Sequence, residues 1–251
     1  MELSLSKELL VVVITFLFSV VGGITGIGIA TIIIPLLLLL GVPLPFAKAT
    51  ALWVNVSIMS YSVLRRLRYI KWPLALPLVA AAFLAAPLGA KISFSIPERV
   101  QLLLLGTFVL LSALLILFIK PKPKVVGLTR SGFAKIGVAV GFLAGFLGGM
   151  LGIGGGIIAN PILILLGFDP LEVTSISALM VLLSSLSGWL AYTAMGYFSP
   201  SLALPLLFAA LGGAYIGNKL SERFSKEMVR KAVAYFALFV AFITYLKAFT
   251  L

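Results

Sequence analysis

Long apolar runs alternate along the chain with short polar punctuation. No Asp, Glu, Lys or Arg occurs within residues 9–47, 49–64, 72–90, 100–119, 136–168, 173–218 or 232–246. A helix needs about 20 residues to cross a bilayer, so most runs hold one crossing and the longest hold more. None shows the apolar–polar alternation of a transmembrane strand. The pattern predicts an all-α polytopic membrane protein. The first run imitates a signal peptide, but it lacks a basic leader and a clear small-residue cleavage site. It is expected to remain in the mature protein, and no soluble domain is expected at either end.

One run contains a helix-weakening stretch, "GGMLGIGGGIIANP" (148–161), in which six residues are glycine. It has a relative. "GGITGIGIATIIIPLLLLLG" (22–41) aligns without a gap to "GGMLGIGGGIIANPILILLG" (148–167), sharing the paired glycines, the Gly-Ile-Gly turn, the proline and the closing glycine. Further on, "ATAL" (49–52) meets "ISAL" (176–179), "LALP" (74–77) meets "LALP" (202–205), and "GAK" (89–91) meets "GNK" (217–219). An internal repeat of this kind organises the whole chain. Residues 1–119 and 132–251 form two transmembrane halves, joined by a basic, proline-rich linker at 120–131. Residues 132–167 as one rod would span about 54 Å at 1.5 Å per residue, against about 30 Å of hydrocarbon. A broken hairpin fits better: helix 132–147, an unwound turn, then helix 157–167. Its counterpart is 8–21, a turn at 22–30, and 31–41. Each half then holds a glycine-broken helical hairpin plus three transmembrane helices.

Charge sets the orientation. The formal net charge of +12 comes chiefly from "RRLRYIK" (65–71), "KPKPKVVGLTR" (120–130) and "KLSERFSKEMVRK" (219–231). Basic residues at helix ends follow the positive-inside rule and meet anionic lipid, so no nucleic-acid partner is expected. Parallel halves would put 219–231 outside and the uncharged "MGYFS" loop (195–199) inside, which is backwards. Inverted halves put all three basic segments in the cytoplasm, and the loop outside. Composition agrees with membrane embedding: 62% hydrophobic and 10% charged residues, with a mean hydropathy of +1.23.

The candidate chemistry is ligand holding. There is no histidine and no cysteine, which excludes a His-based protease dyad, a Cys nucleophile and the usual transition-metal sites. "GIGGG" has no following Gly-Lys-Ser/Thr and no βαβ context, so it is neither a P-loop nor a dinucleotide fingerprint. No enzyme activity, metal or cofactor is expected. No carboxylate lies mid-membrane, which argues against an acidic proton relay. Coupling to H+ or Na+ is left to backbone carbonyls or to the substrate's own protonation.

Irregular backbone inside a bilayer is tolerated where it lines a polar cavity, and two such breaks at matched positions point to a transporter's binding site. After each turn a helix begins with unpaired N–H groups that attract an anion. Gly26, Gly28, Gly152, Gly154, Gly155 and Gly156 are therefore candidate substrate-lining residues. Gly141/Gly145 and Gly213/Gly217 have the spacing of close helix packing. "TALWVNVSIMS" (50–60) aligns to "SALMVLLSSLS" (177–187), pairing Thr50 with Ser177, Ser57 with Ser184 and Ser60 with Ser187. Each trio lies near one helical face. Thr50, Ser57, Ser177 and Ser184 join the candidate site, and Asn55 and Asn160 add amide donors. Membrane serines also bond their own helix backbone. Lys48 is expected to snorkel to the interface, and Asp169 and Glu172 to serve at a helix N-terminus.

The duplicated pattern, Gly26-Ile27-Gly28…Pro35…Gly41 and Gly152-Ile153-Gly154-Gly155-Gly156…Pro161…Gly167, resembles the TauE/SafE sulfite exporter family, also called 4-toluene sulfonate uptake permeases. The resemblance spans nearly the whole chain. It implies a multi-pass permease of the cytoplasmic membrane for sulfur-containing anions such as sulfite, sulfonates or sulfoacetate. The first copy departs from the second, with Ile29-Ala30-Thr31 opposite Gly155-Gly156-Ile157. A passive anion channel would use the same donors. A non-transporting scaffold would leave the paired turns without a purpose.

Overall fold

The computed structural model describes residues 5–25, 29–118, 130–221 and 226–250. They fold into α1 (Leu5–Thr25), α2 (Ala30–Leu39), α3 (Leu44–Arg66), α4 (Trp72–Ile92), α5 (Glu98–Phe118), α6 (Arg130–Leu151), α7 (Gly156–Leu165), α8 (Pro170–Ala194), α9 (Pro200–Ser221) and α10 (Lys226–Phe249). No strand occurs among the described residues. Among the described residues, five helical segments are long and apolar enough to cross a membrane: Trp72–Ser95, Glu98–Leu115, Ser131–Leu151, Glu172–Ala194 and Pro200–Gly217. Leu17, Leu84, Phe118, Phe208 and Phe242 are each more than half exposed on the outer surface. In water that surface would associate; against acyl chains it is the expected exterior.

Glycine lets the helices approach at backbone distance, and the contacts fix their directions. A methyl group at Gly137 would meet Leu74 and Pro77, at Gly141 Leu78, at Gly145 Ala82, and at Gly149 Ala86. Helices α4 and α6 therefore run parallel, in register. Likewise Gly213 faces Phe16 and Ser19, and Gly217 faces Val20, so α1 and α9 run parallel. By contrast α3 and α8 are antiparallel: Phe46 packs on Tyr197 with ring centroids 5.6 Å apart, and Trp53 on Trp189 at 4.6 Å. Helices α5 and α10 are antiparallel too, with Gly106 against Tyr245 and the Arg99 guanidinium 5.7 Å from the Phe249 ring centroid. These directions bring the ends of α3, α5 and α9 and the starts of α4, α6, α8 and α10 to one end of the bundle. Lys71 and Glu172 pair there at 3.6 Å, beside a cleft also lined by Arg68, Tyr69, Ile70 and Asp169. The loop at 195–199 lies at the opposite end.

The two short helices share their construction. Each contains ten residues with an internal proline, Pro35 in α2 and Pro161 in α7. Each ends in the same Schellman turn. Gly41 (φ +86°) and Gly167 (φ +89°) occupy the left-handed position. Val42 N–H donates to the Leu37 carbonyl at 3.0 Å, and Phe168 N–H to that of Leu163 at 3.1 Å. Proline has no N–H, so Pro161 leaves the Ile157 carbonyl without its usual partner in the helix. The Ser112 hydroxyl of α5 donates to it at 2.7 Å.

The second break is shorter than the glycine count predicts. Helix α6 continues to Leu151, and only residues 152–155 leave helical geometry. Gly148 and Gly149 stay helical because packing overrides their low propensity: a side chain at Gly149 would enter the Ala86 backbone, and one at Gly148 the Gly155 backbone. Helix α1 likewise runs to Thr25 rather than ending at 21.

Candidate functional site

The break after α6 is built from left-handed glycines. Gly152, Gly154 and Gly155 have φ of +78°, +71° and +79°, a region that costs a side-chain-bearing residue roughly 1–2 kcal/mol. The Ile153 N–H donates back to the Gly148 carbonyl at 2.8 Å, folding the chain onto α6. Gly155 is the N-cap of α7, and no side chain caps that helix. Its leading N–H groups and dipole are left to face whatever binds there.

Helices α3 and α8 supply the polar surroundings. Asn55 is fully buried and links the start of α2 to the break after α6. Its Oδ1 accepts from the Ala30 N–H, at the start of α2, at 3.3 Å. Its Nδ2 donates to the Ile153 carbonyl at 3.3 Å. Ser184 donates to the Gly154 carbonyl at 2.8 Å. A methyl group at Gly154 would strike the Ser185 hydroxyl and come within 3.2 Å of Asn55 Nδ2. Gly152 packs on the stem of Lys48 and Gly156 on Val181.

Some of these polar groups have no partner. Among the described residues, Thr50 Oγ1, Trp53 Nε1, Ser177 Oγ, Ser185 Oγ, Trp189 Nε1 and Thr193 Oγ1 are buried without a hydrogen bond, all on α3 or α8. Asn160 Oδ1 on α7 and Thr15 Oγ1 on α1 share that state. An unpaired polar group away from water costs several kcal/mol in hydrocarbon, an order-of-magnitude figure. Six of these eight atoms lie on one antiparallel helix pair, and Ser185 faces the glycine break.

The predicted residues divide accordingly. Thr50, Asn55, Gly152, Gly154, Gly155, Gly156, Ser177 and Ser184 are on or between the break and the α3–α8 pair. Ser57 instead donates to the Trp53 carbonyl of its own helix at 3.1 Å, and Ser60 to that of Val56 at 2.7 Å. Asn160 is half-buried on α7. Gly26 and Gly28 lie outside the described residues. Asp169 accepts from the Glu172 N–H at 3.3 Å, the expected N-terminal role. Ser185, Trp53, Trp189 and Thr193 escaped the sequence reading. The available signal was position, since both tryptophans sit inside apolar runs rather than at their interfacial ends.

The expectation for Lys48 is overturned. Its side chain is 2% exposed and does not reach the interface. The ammonium donates to Gln101 Oε1 and to the Met150 carbonyl at 2.7 Å, and lies 5.9 Å from the Tyr192 ring centroid. Tyr192 donates to the Gly149 carbonyl at 3.1 Å and meets the Ser93 hydroxyl at 3.0 Å. Gln101 Nε2 donates to the Ser93 and Ile96 carbonyls at 2.7 Å each. The carbonyls ending α6 attract the ammonium inward, and the network braces the far end of the hairpin.

Half-helices whose termini meet buried polar groups inside a helical bundle are an architecture of membrane transporters. Residues 11–244 match the family described as Sulfite exporter TauE/SafE, and the chain belongs to that family. It is 27% identical over 237 residues to the probable membrane transporter protein YdhB of Bacillus subtilis (strain 168), covering 90% of this chain and 95% of that one. It is 30% identical over 106 residues to the probable membrane transporter protein YunE of the same organism, covering 42% and 37%. No solved structure shows a significant match. The protein is a multi-pass transporter of the cell membrane.

Proposed function

We propose that this transporter is a permease moving small sulfur-containing anions, of the sulfite, sulfonate or sulfoacetate class, by alternating access. The observation that carries this reading is the set of buried, unpartnered hydroxyls of Thr50, Ser177 and Ser185 beside the uncapped start of α7. These are neutral donors, suited to an oxyanion that must be released again. Asn55, Ser184, Asn160 and the glycines 152–156 complete the site, and Gly26 and Gly28 contribute from the first break. The halves 1–119 and 132–251 act as inverted repeats, which the opposed directions of α3 and α8 and of α5 and α10 support. The basic linker 120–131 and the basic ends at 65–71 and 219–231 lie in the cytoplasm.

The test is uptake into proteoliposomes with sulfite, thiosulfate, sulfonates and carboxylates, with and without H+ or Na+ gradients. Saturable uptake with counterflow, preferring sulfur oxyanions, is expected. Non-saturating flux without counterflow would identify a channel, and equal response to carboxylates would remove the sulfur assignment. Single cysteines at 195–199 should take an impermeant label from outside, whereas those at 219–231 should not.

A further inference from the structure

We infer that Trp53 and Trp189 form a second anion station, beside the glycine break and one helical turn outward of Ser185 along α8, that favours sulfur oxyanions carrying an apolar body over inorganic sulfite. The inference rests on the permease reading above. Indole nitrogen is a donor only, and both Nε1 atoms are buried with no acceptor. The two rings lie against each other, centroids 4.6 Å apart and planes 37° apart. An anion with several oxygens can accept from both. Phe198 presents edge contacts to each, at 5.9 Å to Trp53 and 5.3 Å to Trp189. Packing alone would be served by purely apolar rings and would not bury two unpaired donors.

The neighbours extend the same chemistry. Thr193 Oγ1, one turn beyond Trp189, and Thr50 Oγ1, one turn before Trp53, are also buried and unpartnered. On α8 the unpartnered groups of Ser185, Trp189 and Thr193 follow one another at intervals of four residues, about 6 Å per step. They form a ridge from the break towards the 195–199 end, so an anion leaving Ser185 outward meets the tryptophans next. Indole N–H groups lie in the ring plane. An oxyanion bound there therefore sits at the ring edges, with any attached carbon group against aromatic surface. Inorganic sulfite uses the donors and leaves that surface idle.

The experiment is binding of benzenesulfonate and of sulfite to purified protein, by calorimetry, with Trp53→Phe, Trp189→Phe and the double Leu variant. Each Phe variant keeps an aromatic ring, smaller than the indole, and removes the donor. Benzenesulfonate affinity should fall about tenfold or more in each, the scale of a hydrogen bond to a charged group, with the thermal midpoint little changed. The parent should prefer benzenesulfonate, and the double Leu variant should lose that preference. Trp72→Phe, at the basic end of the bundle, should bind as the parent does. Thr193→Val serves if a tryptophan variant fails to fold, with about a tenfold loss expected, again the scale of a hydrogen bond to a charged group. Parental affinity in the Phe variants, or in Thr193→Val where it stands in, overturns the station, as does a parent without preference. If the parent still transports sulfur anions, the permease reading survives that result. A parent that neither binds nor transports any sulfur oxyanion removes both.

Discussion

Along α6, Gly137, Gly141, Gly145 and Gly149 press the helix onto the backbone of α4 at Leu74, Leu78, Ala82 and Ala86. A few residues later, Gly152, Gly154 and Gly155 take positive φ, and the first two turn bare backbone towards the side chains of Lys48, Ser185 and Asn55. The same residue type serves two opposite ends. In the seam the missing side chain makes room for another backbone, which locks two helices together. In the break it permits a left-handed path, which frees a helix N-terminus. What separates the two uses is the sign of φ; the neighbour does not, since Gly155 in the break still meets the Ala144 backbone.

The sharpest way to break this comparison is to add carbon to each set. A methyl group at Gly141 would run into the Leu78 carbonyl and Cα, and neither can rotate away. Gly141→Ala should cost about 3 kcal/mol, the upper end of ordinary overpacking, and Gly141→Leu should leave no folded peak in size-exclusion chromatography. At Gly154 the obstacle is the movable Ser185 hydroxyl and the Val181 side chain, with about 1–2 kcal/mol of backbone strain added. Gly154→Ala should therefore fold, with transport reduced tenfold or more in proteoliposomes. If Gly154→Ala fails to fold while Gly141→Ala transports normally, the two roles have been assigned the wrong way round.

Much of this division was legible in the sequence, because the repeat supplied an internal comparison. The closing glycines Gly41 and Gly167 were visible as a matched pair, and they cap α2 and α7 identically. Thr50 and Ser177 were visible through the matched trios, and both are buried. The limits of the second break were not legible. Whether Gly148 and Gly149 stay helical depends on Ala86 and Gly155, which are tertiary neighbours. Ser185 was hidden because Ile58 stands opposite it in the repeat. The burial of Lys48 is hidden for a similar reason: snorkelling is the default for an isolated membrane lysine, and nothing local reveals that Gln101 and the Met150 carbonyl lie beside it.

A smaller effect tests how the two short helices are held. Ser112→Ala would leave the Ile157 carbonyl without its donor, costing about 1 kcal/mol, in the range of interhelical hydrogen bonds within membranes. Pro161→Ala in the same background restores an N–H at the position that normally serves that carbonyl. The double variant should recover most of the thermal midpoint lost by Ser112→Ala. Equal losses in single and double variants would mean that the hydroxyl does not compensate for the proline.

The smallest change in stability is the most telling, because its sign should oppose its effect on function. Thr50→Val and Ser177→Ala remove hydroxyls that are buried and unpaired. Losing a partnered group leaves an orphan, whereas losing an orphan removes a desolvation cost and creates none. Each variant should therefore be as stable as the parent or more stable, by up to about 1 kcal/mol. If those hydroxyls hold the anion, the same variants should bind it more weakly by about tenfold or more, the scale of a hydrogen bond to a charged group. Sites held under strain for function show this opposition between stability and activity. Packing residues do not, since truncating them lowers both together. A Ser177→Ala protein that loses stability and keeps its affinity would place that hydroxyl in the scaffold, and would shift the site towards Ser185 and the tryptophans.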